Sequence, residues 1–328
     1  MLIFIAPTRF NLLLFCVWMS YDIRVMLSDQ PTPPRRTCGA MIVYQAMLET
    51  VPGFRERQLE IHAHAQSIAE GRSAARQGLI TIPVVVHVVY NTPAQNISDD
   101  QVNSQIEVLN ADYGAANPDI AGVPAPWQPL ISDSQIRFAL ATEDPDGSPT
   151  TGIHRVSTTA VGFHQAGNSV KSAASGGADA WDTSRYLNIW VCNLLDGLLG
   201  YAQFPGGPAA TDGVVILYSA FGSRGTLAAP YNLGRSATHE VGHFLNLFHI
   251  WGDTQDCSGT DYVADTPNAQ LPNFGKPAFP HVTCGNAPNG DMFMNYMDYV
   301  DDDSMFFFTS GQVARMRATL SGVRAGLG

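Results

Sequence analysis

The 328-residue chain is 45% hydrophobic and 14% charged, with a formal net charge of −11. Such a composition can fill the core of one large domain or two modest ones, and it excludes a disordered chain. The acidic balance, without any Lys/Arg-rich stretch, argues against a nucleic-acid partner, which would require a basic face.

The N-terminus supports two readings. Arg9 precedes the apolar run Leu12–Met19, as in a signal peptide, but no small-residue cleavage site follows. Alternatively, translation begins at Met26. The run is too short to cross a bilayer, so stable membrane insertion is not expected. Residues 29–36 are polar and proline-rich and read as a linker. Residues 41–70 read as helical, with Arg55, Glu56, Arg57 and Glu60 on an exposed face. The Gly-, Ala- and Arg-rich stretch Gly71–Gly78 reads as a boundary.

From Leu79 the texture changes. Ile80–Tyr90 is β-branched and apolar, a buried strand. Ser98 then caps a helix whose apolar stripe is Val102, Ile106, Leu109 and Tyr113. Further strands are expected at Gln135–Ala141, Tyr186–Leu194, Gly200–Phe204 and Gly213–Phe221. A second strong helix starts near Leu233. Residues 250–295 are rich in Gly, Pro, Asp and Asn and read as irregular, and a last helix runs from about Thr309 to Leu320. This order of elements suggests an α/β sandwich without internal repeats.

The second strong helix carries the sharpest motif, His239-Glu-Val-Gly-His-Phe-Leu-Asn-Leu-Phe-His249. Histidines at i and i+4 share one helix face, so His239 and His243 can reach one ion, and Glu240 can reach a water bound to it. His249 lies six residues after His243 and would point away on a continuous helix. The helix must therefore end between them, and Asn246 suits the left-handed conformation that ends helices. Three protein ligands leave a fourth zinc position open, the catalytic pattern, with zinc lowering the pKa of water and Glu240 taking its proton. The alternative is a catalytically weak zinc-binding adhesion or interaction protein on the same scaffold, whose signature would be loss of Glu240 or His249. Neither is lost. No Gly-x-Ser-x-Gly elbow supports a serine hydrolase.

HExxHxxNxxH resembles the metzincin zinc peptidases, with Asn246 where Gly is usual. The longer stretch Ala237–Asp253 is similar to the pappalysin family, which includes ulilysin- and cytophagalysin-like enzymes, and Asp253 fits the acidic residue after the third histidine. Asn295-Tyr-Met-Asp-Tyr299 resembles the metzincin Met-turn. The resemblance places Met297 beneath the metal and the Tyr299 phenol beside the metal or the reacting carbonyl oxygen. It implies a mixed α/β (α+β) catalytic domain: a twisted mixed sheet, two long helices, an active-site helix with the zinc motif, and an irregular C-terminal subdomain ending in a helix. The domains expected are residues 1–30, a signal or N-terminal segment; 31–78, a propeptide; and 79–328, the catalytic domain.

The resemblance also bears on the five cysteines, Cys16, Cys38, Cys192, Cys257 and Cys284. Arg36-Thr-Cys-Gly39 is similar to the propeptide motif of pappalysin zymogens, which makes Cys38 a latent zinc ligand, a cysteine switch. Cys257 and Cys284 match a family disulfide and imply an oxidising compartment. Cys192 reads as a buried core thiol, and Cys16 falls in the signal-like run. Asp261-Tyr-Val-Ala-Asp-Thr-Pro267 resembles the calcium loop of ulilysin-like enzymes, with Asp261, the Val263 carbonyl, Asp265 and Thr266 as ligands of Ca2+.

These features together predict a secreted, monomeric zinc metalloendopeptidase acting on protein or peptide substrates and made as a latent zymogen. The peptide is expected to add as an antiparallel strand along Gly200–Phe204. Asp303, after the Met-turn, is expected to pair with Arg or Lys of the substrate, and activation to occur by cleavage near Arg72 or Arg76.

Overall fold

The computed structural model describes residues 35–328. The signal-like segment (residues 1–30) and Cys16 lie outside the described residues. The expected helix over 41–70 is two helices, α1 (Ala40–Thr50) and α2 (Phe54–Ala69). Val51-Pro52-Gly53 separates them: Pro52 disfavours helix at Val51, and Gly53 takes a φ of 70° that a side chain would resist.

Strand β1 (Ile80–Tyr90) is the spine of a mixed sheet. On one side it pairs in parallel with β2 (Ile136–Leu140) along its first half and with β3 (Ile153–Ser157) along its second. The alternation in 153–157 is too short and polar to have announced β3. On its other side lies β4 (Leu187–Cys192), then β6 (Val214–Leu217), both parallel. The edge strand β5 (Gly200–Ala202) runs antiparallel to β6. The strands forecast at 200–204 and 213–221 are thus shorter than expected, and residues 218–220 turn into a 3-10 helix.

Helix α3 (Asp99–Tyr113) starts where the Ser98 hydroxyl accepts from the Gln101 N–H at 3.1 Å, a standard N-cap. It lies beside α4 (Arg235–Phe244), to which the Tyr113 hydroxyl donates at the Thr238 carbonyl over 3.1 Å. The chain beyond α4 is largely irregular. Within it, β7 (Phe274–Gly275) pairs with β8 (Tyr299–Val300). A Thr309–Gln312 capping box opens α5 (Ser310–Ser321). The expected mixed α/β architecture is the one observed.

Candidate metal centre and substrate groove

Every side chain of α4 is buried, polar ones included. The helix therefore stands or falls with its hydrogen-bond partners, because a buried unpaired polar group is costly. Its end is a complete left-handed cap. Asn246 has φ 76°, its N–H donates to the His243 carbonyl at 2.9 Å, and the Leu247 N–H donates to the Gly242 carbonyl at 2.9 Å. Three further carbonyls at this end accept from α5 and the turn after it: Phe244 from Arg324 at 3.0 Å, Leu245 from Thr319 at 3.1 Å and Asn246 from Arg315 at 2.6 Å. The C-terminal helix thus satisfies groups that α4 leaves open.

The chain turns back at Asn246 and brings His249 to the other two imidazoles. The three Nε2 atoms of His239, His243 and His249 lie 3.1, 3.1 and 3.3 Å apart. Each Nδ1 faces an oxygen: the Tyr296 carbonyl at 2.7 Å, the Leu247 carbonyl at 2.7 Å and the Asp253 carboxylate at 2.6 Å. Those acceptors place the proton on Nδ1 and aim the Nε2 lone pairs at one point. Burial, and then the neighbouring imidazoles, hold His239 and His243 well below the ordinary histidine range. Three imidazoles converging at this spacing fit a tetrahedral zinc ion. Cys38 Sγ completes the group, its potential ligand atom lying within 4.8 Å of the others.

Glu240 is buried beside this point, and burial pushes its carboxyl up to about 8, against the pull of Cys38, Arg36 and Lys171. Its Oε2 lies 3.4 Å from Cys38 Sγ. Gly200 of β5 lets it fit, since a Cβ there would come within 2.8 Å of the Glu240 Cγ. Gly242 plays the same part for Met297, whose sulfur would lie 2.5 Å from an added Cβ. The Tyr299 ring stands 5.7 Å from His239 and 4.9 Å from His249, centroid to centroid. Trp251 stacks on His249 at 4.3 Å and stiffens the third imidazole from behind.

The edge of β5 is covered by the chain's own residues 37–39. The Leu199 N–H donates to the Thr37 carbonyl at 3.0 Å and the Gly39 N–H to the Gly200 carbonyl at 2.9 Å. This pairing is parallel. Just before it, Arg36 is buried in the pocket expected behind the Met-turn; that the chain's own arginine would fill it was not legible in the sequence. Its guanidinium donates to Asp302 at 2.5 Å, to the Ser236 hydroxyl at 3.1 Å and to the Val300 carbonyl at 3.1 Å, and lies 5.0 Å over the Tyr231 ring. Asp303, the carboxylate expected to face a basic residue, is instead exposed and paired with Lys276. Residues 302–304 form a 3-10 turn, so neighbouring side chains splay apart, and Asp302 is the one turned inward. The run Asp301-Asp302-Asp303 is the sequence signal for the pocket; which of its members enters is set by this turn.

The loop around 261–266 divides similarly. Buried Asp261 accepts from Thr266 Oγ1 at 2.7 Å and from the Val263 N–H at 3.1 Å, and burial raises its carboxyl to about 7. The Val263 carbonyl accepts from Thr266 at 2.9 Å. Asp265, expected beside them as a calcium ligand, points to the start of α5, accepting from Thr309 Oγ1 at 2.7 Å and the Gly311 N–H at 2.8 Å. A helix N-terminus attracts a carboxylate through its free N–H groups. Cys257 and Cys284 are joined, with Cα atoms 5.3 Å apart, while Cys192 is a buried free thiol.

Comparison with known proteins follows the same lines. The sequence pattern of the family described as pregnancy-associated plasma protein-A, peptidase M43, matches residues 172–321. An extracellular metalloprotease 1 of Coccidioides posadasii is 32% identical over 311 residues, covering 90% of this chain and 93% of its own. An extracellular metalloprotease of Pyricularia oryzae is 32% identical, covering 80% and 83%. A promirolysin mutant of Tannerella forsythia superimposes with a TM-score of 0.82 at 48% identity, covering 89% of this chain and 96% of that one. Mature mirolysin in complex with a cleaved peptide gives 0.75 at 53% identity, covering 76% and 96%.

Proposed function

Because this chain belongs to the peptidase M43 family of pregnancy-associated plasma protein-A, a family of metallopeptidases, we propose that it is a secreted zinc endopeptidase held latent by its own N-terminal segment. The observation that carries this reading is the convergence of three imidazoles and the Cys38 thiol on one point next to Glu240. Secretion is supported by relatives named extracellular metalloproteases. Among the described residues, no helix is long and apolar enough to cross a membrane.

His239, His243 and His249 would hold the zinc. When bound, it supplies a Lewis acid for the scissile carbonyl and lowers the pKa of water. Glu240 takes the proton of the attacking water and returns it to the leaving amine. The Tyr299 hydroxyl donates a hydrogen bond to the carbonyl oxygen as charge develops there. Asp253, Tyr296 and Leu247 hold the three imidazoles in the tautomer that the metal needs.

Residues 31–78 would be the propeptide. The promirolysin mutant covers 89% of this chain and mature mirolysin 76%; the difference, 13% of 328 residues, is about 43 residues, close to the length of that segment. Within it Cys38 occupies the place of the water, and Arg36 fills the pocket floored by Asp302. A substrate strand antiparallel to β5 runs opposite to residues 37–39. It would then place in this pocket the residue just after the scissile bond, so cleavage is expected on the N-terminal side of Arg or Lys. Calcium is proposed for Asp261, Thr266 and the Val263 carbonyl, with Asp265 serving the α5 N-terminus instead.

The test is metal content with activity. Zinc at one equivalent, casein hydrolysis abolished by a chelator and restored by zinc, and a loss of about 10²–10⁴-fold in Glu240→Gln are expected. Full activity in Glu240→Gln would refute the role assigned to Glu240.

A further inference from the structure

The segment before Cys38 contains two consecutive arginines, and the pocket accounts for only one. Arg36 is buried on Asp302. Arg35 lays its guanidinium 4.9 Å from the centroid of the Phe274 ring. Phe274 belongs to β7, which is paired with β8 in the register Phe274 to Tyr299 and Gly275 to Val300. The same Val300 offers its carbonyl to Arg36. The ring is therefore tied by backbone pairing to the wall of the first pocket, and it leans on Tyr299 at 5.9 Å. The Asp301 N–H donates to the Gly275 carbonyl at 2.9 Å and extends this pairing by one residue.

We infer that Phe274 is a second specificity element, a platform that favours a guanidinium as the second residue after the scissile bond. The inference rests on the reading of the Asp302 pocket as the site of the first residue. The reversed direction of residues 35–39 does not undo it. The arginine in the Asp302 pocket fixes the register, and in an extended chain of either direction the next residue away from the zinc point lies one step, about 3.3 Å, further along the groove. Neighbouring side chains of an extended chain point to opposite sides in both directions. The attraction is that of a cation for the face of an aromatic ring, about 0.5–1 kcal/mol at an exposed site, or roughly two- to five-fold in kcat/KM.

The experiment uses activated enzyme and peptides carrying Arg directly after the cleaved bond, followed by Arg, Ala or Asp. In the wild type, Arg should exceed Ala at the second position by roughly two- to five-fold in kcat/KM, with Asp lowest. Phe274→Leu keeps the apolar bulk but removes the ring face, and should level Arg with Ala. Phe274→Tyr should keep the ranking. In both variants the preference for Arg over Ala at the first position should persist, whereas Asp302→Asn should lose that preference and keep the second. A wild type indifferent to the second position, or a ranking unchanged in Phe274→Leu, overturns the inference. Loss of first-position preference is not expected from Phe274 variants. Its absence in the wild type would instead overturn the Asp302 reading, so the two failures are separable.

Discussion

At the scale of single residues, Asn246 decides whether the third imidazole can reach the other two. It holds φ 76° with its side chain fully buried, and no protein group hydrogen-bonds either amide atom. The backbone conformation, not the amide, is thus what this position contributes. Asn246→Gly should leave activity and zinc content close to wild type. Asn246→Ala must pay the left-handed penalty of about 1–2 kcal/mol, which should appear as a lower Tm and weaker zinc retention during chelator titration. If Ala behaved like Gly, the turn would not depend on this residue. The same spacing argument made the break legible in the sequence, because no continuous helix could bring His249 to His239. The roles of Asp302 and Gly200 were not legible in that way. Each depends on what a distant segment brings close, such as Glu240 into the space a Cβ at Gly200 would need.

At the scale of elements, α2 is docked on α5 by a contact that responds to acid. Arg315 of α5 donates to Nδ1 of His62 on α2 at 2.8 Å. Arginine can only donate, so His62 must accept there and be neutral. Burial, and then Arg315, lower its pKa from 6.5 to about 4. Tyr262 packs on the imidazole at 4.4 Å, and Tyr262, Glu70, Asp265 and Arg315 line the adjoining cleft. A histidine depressed in the docked state favours docking fully above pH 6.5, and this contribution falls away as the pH drops toward about 4. Allowing for solvent screening, opening of α2 should rise roughly ten-fold between pH 7.5 and 5. Hydrogen exchange of residues 54–69 in full-length Glu240→Gln would measure it, corrected for intrinsic exchange. His62→Gln, which still accepts from Arg315, should show little of the rise; an equal rise in both would assign the effect elsewhere.

At the scale of the whole molecule, latency would be spread over two anchors on one short strand, Cys38 at the metal and Arg36 in the Asp302 pocket. Cys38→Ala should process itself faster than wild type during purification, and Cys38→Ala with Arg36→Ala faster still, both read as conversion on denaturing gels. Unchanged latency in the double variant would place the block elsewhere in residues 35–78. Arg72 is exposed, whereas Arg76 is held by the Leu327 carbonyl at 3.1 Å and by the Ser321 hydroxyl, which accepts from its N–H at 2.7 Å. Cleavage at Arg72 is therefore the more accessible of the two anticipated sites. The sequence alone determined the features that local periodicity and ligand spacing control: the buried strand at 80–90, the capped helix after Ser98, the convergent histidines and the need for a turn between them. Tertiary structure decided what depends on long-range pairing. It set the parallel seating of residues 37–39 on β5, the entry of Asp302 rather than Asp303 into the pocket, and the diversion of Asp265 to a helix end. Adjacent residues of one composition are equivalent until packing turns one of them inward, and only the fold supplies that packing.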